Sequence, residues 1–257
     1  MPRGQVPGGS APEGDVRAPA PALRSSAAHV FVADPASPVL AEEERHHLER
    51  VLRLRPGQVV TVADGSGGWR CCTWRSGGEL EPAGDVMAAQ AQSPPVTVGF
   101  ALTKGERPDW AVQKLTEVGV DRILLLETVR SVVRLGADAA ERRVQRWRRV
   151  AREAAVQSRR TFLPQVVGVV PLSDVLADAG NEPGRAVCLA EPGGEPPSLS
   201  RPVVLVGPEG GWAPEELGQG LPALGLGPSV LRTESAAVAA GLLLCSLRAG
   251  VVAQGRH

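Results

Sequence analysis

The stretch Val203-Val204-Leu205-Val206-Gly207-Pro208-Glu209-Gly210-Gly211-Trp212-Ala213-Pro214-Glu215-Glu216 decides how this chain is read. Its first four residues form a short apolar run that leads into a glycine-rich loop, the pattern of an apolar strand. Pro214 suits the first position of a helix, and Glu215 and Glu216 fall in the first turn, where the helix dipole favours acids. An apolar strand therefore passes through a glycine loop into a helix. Such a loop either makes a tight turn or lets backbone amides approach a ligand closely. A Gly-x-x-x-x-Gly-Lys-Ser/Thr pattern is missing and no lysine is near, which disfavours nucleotide triphosphate hydrolysis.

Working outward, the apolar runs Val96–Leu102, Ile123–Leu126, Val166–Val170 and Ala186–Leu189 repeat the pattern of Val203–Val206. They alternate with helix-like spacing over Pro108–Val118, Asp138–Gln157, Pro214–Leu217 and Ser235–Ala249. Strands alternating with helices predict an α/β domain with a mostly parallel sheet. Nearer the N-terminus the period is shorter: His29–Val32, Val59–Ala63 and Trp69–Trp74 are strand-like, interrupted by a helix at Glu42–Leu52 and by the turn Asp64-Gly65-Ser66-Gly67-Gly68. These predict a small barrel domain, followed by a Pro-bearing linker at Gln90–Pro95. Residues 1–28 are rich in Pro, Gly and Ala and read as a disordered tail, having too little apolar surface to offset ordering entropy.

The 257 residues carry 28 basic and 28 acidic side chains, so any nucleic-acid surface must come from local clustering. Cys71, Cys72, Cys188 and Cys245 form no C-x-x-C pair, and the four histidines show no zinc-site spacing, so no metal is expected. That cysteine usage, without a charged-then-apolar leader, points to a reducing cytoplasm. The longest apolar run, Ala236–Cys245, is too short to cross a bilayer, and no membrane association is expected.

Three further stretches carry chemistry. Leu226-Gly227-Pro228-Ser229-Val230-Leu231-Arg232-Thr233-Glu234-Ser235-Ala236 leads into an apolar helix, and its two charges need partners, either a ligand or each other in an Arg232–Glu234 ion pair. Thr233 or Ser235 is suited to cap that helix. Lys104-Gly105-Glu106-Arg107, followed by Gln113-Lys114 and Glu117-Val118-Gly119-Val120, holds the chain's two lysines; all 26 other basic residues are arginine. The helix Asp138–Gln157 and its exit carry Arg142, Arg143, Arg146, Arg148, Arg149, Arg152, Arg159 and Arg160, either a solvated face or a phosphate-binding patch. Arg50, Arg53 and Arg55 offer a second such patch.

Together with His47-Leu48-Glu49-Arg50-Val51-Leu52-Arg53, these segments resemble the ribosomal RNA small subunit methyltransferase E family of the SPOUT superfamily, over about residue 29 to the C-terminus. The resemblance implies a PUA-like RNA-binding β-barrel at 29–91 and a SPOUT methyltransferase domain at 92–257 with a C-terminal trefoil knot, which no local pattern predicts. It implies S-adenosylmethionine as cofactor, held by Leu189, Ala190, Glu191, Val206, Gly207, Gly210, Gly211, Leu226, Leu231, Thr233 and Ala236. Further implied are methylation of uridine N3 in small-subunit (16S) rRNA, catalytic roles for Arg232, Glu209 and Glu234, and a homodimer. Ribosomal RNA or the small ribosomal subunit would be gripped by Arg50, Arg53, Lys104, Lys114 and Arg130. The chain departs from the family at Val156-Gln157-Ser158-Arg159-Arg160, where members often have Glu-Gln-Ser-Gly-Arg, and at Ser229, where many have arginine. Two other readings stay open at this point: a SPOUT enzyme acting on another RNA, and a non-catalytic rRNA-binding assembly protein that keeps the fold.

Overall fold

A computed structural model describes residues 20–181 and 186–253. Residues 1–19, most of the expected tail, lie outside the described residues. The remainder of that segment is ordered: Pro21–Ser25 form a short helix (α1) whose Leu23 is buried against Phe31, Trp69 and Ala155. Composition carries no signal for such a single leucine meeting a complementary apolar site.

The first unit is a four-stranded sheet in the order β1 (Ala28–Phe31), β2 (Val59–Ala63), β3 (Gly68–Arg75), β4 (Glu79–Ala88). β1 and β2 run parallel, and the other pairs are antiparallel. The predicted helix at Glu42–Leu52 is present as α2 (Glu42–His46) continued by a π-helical turn, His47–Val51, that buries Leu48. The core beneath is Val30, Leu48, Val60, Val62, Cys72 and Trp74. β4 has no counterpart in the sequence reading: its face is almost wholly exposed, and Pro82 and Gly84 break any alternating pattern.

The second unit is a six-stranded sheet with every pair parallel, in the order β10 (Ala223–Leu224), β8 (Val187–Glu195), β9 (Val203–Val206), β5 (Thr97–Ala101), β6 (Arg122–Glu127), β7 (Gln165–Pro171). Helices α3 (Arg107–Val118), α4 (Ala137–Gln157) and α7 (Thr233–Arg248) cover one face, meeting Val98, Phe100, Ile123, Leu125, Val204 and Val206. The residues between those point the other way. Leu124, Leu126, Val203 and Leu205 pack with Leu172 and Val175 of α5 (Leu172–Asn181) and with Trp212, just ahead of the short α6 (Pro214–Leu217). Burial on both faces explains the continuous apolar strands. Gly119, at φ 101°, closes α3 in the left-handed conformation expected of a helix stop.

The two units share a core and a polar clasp. Arg152 of α4 donates to Phe31 O (2.9 Å) and Glu44 Oε1 (2.7 Å) and lies 5.3 Å over the Phe31 ring. Arg159 donates to Ser26 Oγ and O, and His29 Nε2 donates to Arg160 O at 2.9 Å. The Arg160 guanidinium donates to Thr116 O and Val120 O. These arginines, read in the sequence as part of a possible phosphate patch, are therefore structural. The patch reading is further weakened because Arg146 pairs with Asp109 (2.5 Å) and Arg148 donates to Val166 O.

Candidate functional site: a three-loop pocket at the strand ends

In this sheet the chain steps outward from β5 through β6 to β7, then crosses to build β8, β9 and β10 on the other side. The order thus reverses between β5 and β9, and open parallel sheets bind ligands beyond the carboxyl ends of the strands at such a point. A cavity of about 280 Å³ lies there. Three loops line it: Ala190–Pro192 in β8, Val206–Gly211 after β9, and Leu226–Ala236 leading into α7.

The glycine-rich loop is hung from three other elements at Gly207, Glu209 and Gly210. Thr233 Oγ1 donates to Gly207 O (2.9 Å) from the first turn of α7. Arg107, at the start of α3, donates from Nη1 to Glu209 Oε1 (2.7 Å). Arg130, in the segment after β6, donates from Nη1 to Gly210 O (3.0 Å). Below, Trp212 is buried so close to Gly207 that a Cβ there would lie 2.9 Å from the ring, so only glycine fits without displacement. Gly211 turns the loop with φ 70°. The helix α6 is anchored by Glu216, a buried carboxylate accepting from Ala213 N (2.8 Å) and from Val129 N (3.0 Å).

Of the eleven expected cofactor residues, Ala190, Glu191, Val206, Gly207, Gly211, Leu226, Leu231, Thr233 and Ala236 line the cavity. Leu189 packs into the core instead, and Gly210 lies off the lining with its carbonyl turned to Arg130. Burial raises the Glu191 carboxyl above its ordinary pKa. Arg232 is the exposed N-cap of α7, and its guanidinium has no partner among the described residues. The Arg232–Glu234 pair considered from sequence is not formed: Glu234 is buried and its Oε1 lies 3.7 Å from Arg107 Nε. Helix α7 begins at Thr233, and Thr233 uses its hydroxyl on the glycine loop rather than as a cap.

The expected RNA-gripping residues are more scattered, and none lines the cavity. Arg130 stands at the loop. Lys104 is exposed just before α3 and has no partner among the described residues, whereas Lys114 is engaged by Glu117 (2.8 Å) two turns along that helix. Arg50 and Arg53 are exposed on the π-helical turn and just beyond it in the first unit, Arg53 with φ 52°. Arg107 was not singled out from the sequence, nor was Trp212 beneath the loop. Charge type alone does not announce a partner 102 positions away.

The parallel α/β domain with its glycine-loop pocket and the small β-unit joined to it each match a family of RNA methyltransferases. The family described as RNA methyltransferase domain matches residues 91–244, and that described as RNA methyltransferase PUA domain matches residues 40–73. The ribosomal RNA small subunit methyltransferase E of Mycobacterium bovis is 35% identical over 218 residues, covering 79% of this chain and 83% of that protein. Among solved structures, the Neisseria gonorrhoeae ribosomal RNA small subunit methyltransferase E bound to S-adenosylmethionine superposes with TM-score 0.71 at 26% identity, covering 86% of this chain and 97% of that one. A Legionella pneumophila methyltransferase in complex with the same cofactor also gives TM-score 0.71 at 26% identity, with 84% and 96% coverage. The chain belongs to the ribosomal RNA small subunit methyltransferase E family.

Proposed function

We propose that this protein uses S-adenosylmethionine to methylate N3 of a uridine in small-subunit (16S) rRNA. The observation that carries this reading is the convergence of three loops on one cavity at the sheet's switch point, in a chain whose relatives include cofactor-bound methyltransferases. The site suits the cofactor's chemistry. Glycine backbone and apolar side chains (Val206, Leu226, Leu231, Ala236) offer a bed for a purine and a thioether-like chain, and Glu191 and Thr233 offer polar contacts to a ribose or an amino group. Among the described residues Trp212 Nε1, beneath the glycine-rich loop, and Glu234 Oε2, in the first turn of α7, are buried without a hydrogen-bond partner.

In this reading residues 29–91 form a PUA-like barrel that binds RNA, and residues 92–257 form the methyltransferase domain, its C-terminal segment threaded as a trefoil knot. Two copies associate over α7, whose Leu242 is half exposed. The protein acts in the cytoplasm on rRNA or the small subunit, which Arg50, Arg53, Lys104, Lys114 and Arg130 hold through phosphates.

Bound S-adenosylmethionine supplies an activated methyl group on a positively charged sulfur. The chain's own task is to hold a uridine turned out of its stack, with N3 in line, and to manage its proton. Arg232 lies off the cavity lining but between Leu231 and Thr233, which line it. Its exposed guanidinium, unpaired among the described residues, is assigned to stabilise the negative charge that spreads onto the carbonyl oxygens of a uridine at the cavity mouth as N3 is deprotonated. Glu209 lines the cavity and Glu234 does not, so Glu209 is assigned as proton acceptor, with Glu234 shaping the field around it. Calorimetry with S-adenosylmethionine, with ATP as control, tests the cofactor assignment: binding of the first alone is expected, and binding of neither contradicts it. Arg232→Ala is expected to lower turnover much more than cofactor affinity; the reverse would make Arg232 a binding residue only.

A further inference from the structure

Arg107 stands between the two carboxylates of the proposed site. Its Nη1 lies 2.7 Å from Glu209 Oε1 and its Nε 3.7 Å from Glu234 Oε1. Each partner belongs to a different pocket loop, Glu209 to the glycine-rich loop and Glu234 to the first turn of α7, while Arg107 opens α3. Arg107 is thus the one side chain among the described residues whose ion pairs join α3 to both loops. Glu234 needs it most: its side chain is 10% exposed, Oε2 has no partner, and Arg107 is the only cation paired with it among the described residues. An uncompensated buried carboxylate would be costly, so removing Arg107 should move the start of α7.

We propose that Arg107 is a positioning residue of the methyl-transfer site, a cationic clamp that fixes the glycine-rich loop against α7 and holds the Glu209 and Glu234 carboxylates in register. It acts through the loops rather than on the reacting atoms: Arg107 itself does not line the cavity, whereas Glu209 does. The neighbouring ties from Thr233 to Gly207 and from Arg130 to Gly210 hold the loop by its carbonyls and leave the Glu209 side chain to Arg107 alone. A guanidinium reaches two carboxylates at once through its fork of donors; a lysine can retain the charge but only part of that geometry. The inference rests on the assignment of the pocket as a cofactor site.

The test is a double-mutant cycle on S-adenosylmethionine affinity by calorimetry, using the full chain, Arg107→Ala, Glu209→Ala and the double variant, with melting curves to establish that each folds. Because both Arg107 and Glu209 are partly exposed, a roughly two- to fivefold loss of affinity is expected for Arg107→Ala. Glu209→Ala should add little in that background, and Arg107→Lys should recover part of the loss. At saturating cofactor, Arg107→Ala should still show lowered kcat on undermodified small subunits, which a purely stabilising residue would not produce. The proposal is overturned if Arg107→Ala matches the parent in affinity and kcat, or if the single losses simply multiply in the double variant. If Arg107→Ala does not fold, Arg107→Gln and Glu209→Gln run the same cycle. Failure of the parent protein itself to bind S-adenosylmethionine would instead sink the cofactor assignment, so the two failures are distinguishable.

Discussion

Replacing Gly207 by alanine tests the close packing on which the pocket depends. The added Cβ would sit 2.9, 3.1 and 3.1 Å from Cε2, Cδ2 and Nε1 of Trp212, inside the ~3.5 Å at which carbon atoms make favourable contact. Gly207 is not in the left-handed region, so alanine suits its backbone and the whole penalty is steric. The indole is 3% exposed and packs among the core residues under the β8 and β9 side of the sheet, so it has little room to retreat. Overpacking of this kind costs about 1–3 kcal/mol, divided between strain in the free protein and displacement of the loop. If it fell entirely on cofactor affinity it would amount to roughly a fivefold to 150-fold loss. Urea unfolding and S-adenosylmethionine calorimetry on the same preparation read the two shares. Gly211→Ala is the comparison: nothing lies within 4 Å of its Cβ, but its φ of 70° costs a side chain about 1 kcal/mol, a backbone effect without a clash. A Gly207→Ala protein with unchanged urea midpoint and cofactor affinity within twofold of the parent would refute the reasoning.

Glu216→Ala strips a buried amide, Ala213 N, and a part-buried one, Val129 N, of their acceptor and should destabilise by about 2 kcal/mol in urea, with Glu216→Gln retaining one bond and losing about half as much. Burial holds His29 at a pKa of about 4, below its ordinary 6.5. The unfolded chain therefore binds the extra proton first, and stability is full above about pH 6.5 and is lost as pH falls toward 4. Unfolding free energies from urea titrations across that window should fall by up to about 3 kcal/mol, and a His29→Asn variant should lose this particular slope. Arg152→Ala removes two hydrogen bonds and a ring contact from the clasp between the units; limited proteolysis should become faster in the β-unit, with a stability loss of about 1 kcal/mol since Arg152 is partly exposed.

Much of the second unit was legible because its strands are buried on both faces and its helices carry one apolar stripe. Val203–Val206 and the loop after it announced both the sheet and the pocket. What escaped had weak local signals. β4 lies exposed with Pro82 and Gly84 inside it, and α5, which packs its Leu172 and Val175 beneath the sheet, is short. Within the site, nine of eleven residues carried over from the family resemblance line the cavity, but Leu189 does not, because alternation along β8 turns it to the core. Arg107, Arg152, Arg159 and Arg160 were visible only as positive charge. Their partners are 102, 108, 133 and 40 or more positions away, and such pairings are set by tertiary packing that no window of sequence contains.

The central claim, methylation of a uridine in small-subunit rRNA, is tested most directly by giving the purified protein methyl-labelled S-adenosylmethionine and undermodified small ribosomal subunits, then digesting the rRNA to nucleosides for mass analysis. Label recovered as N3-methyluridine is the predicted result. Label on another nucleoside, or none in the RNA while the cofactor binds, would contradict it.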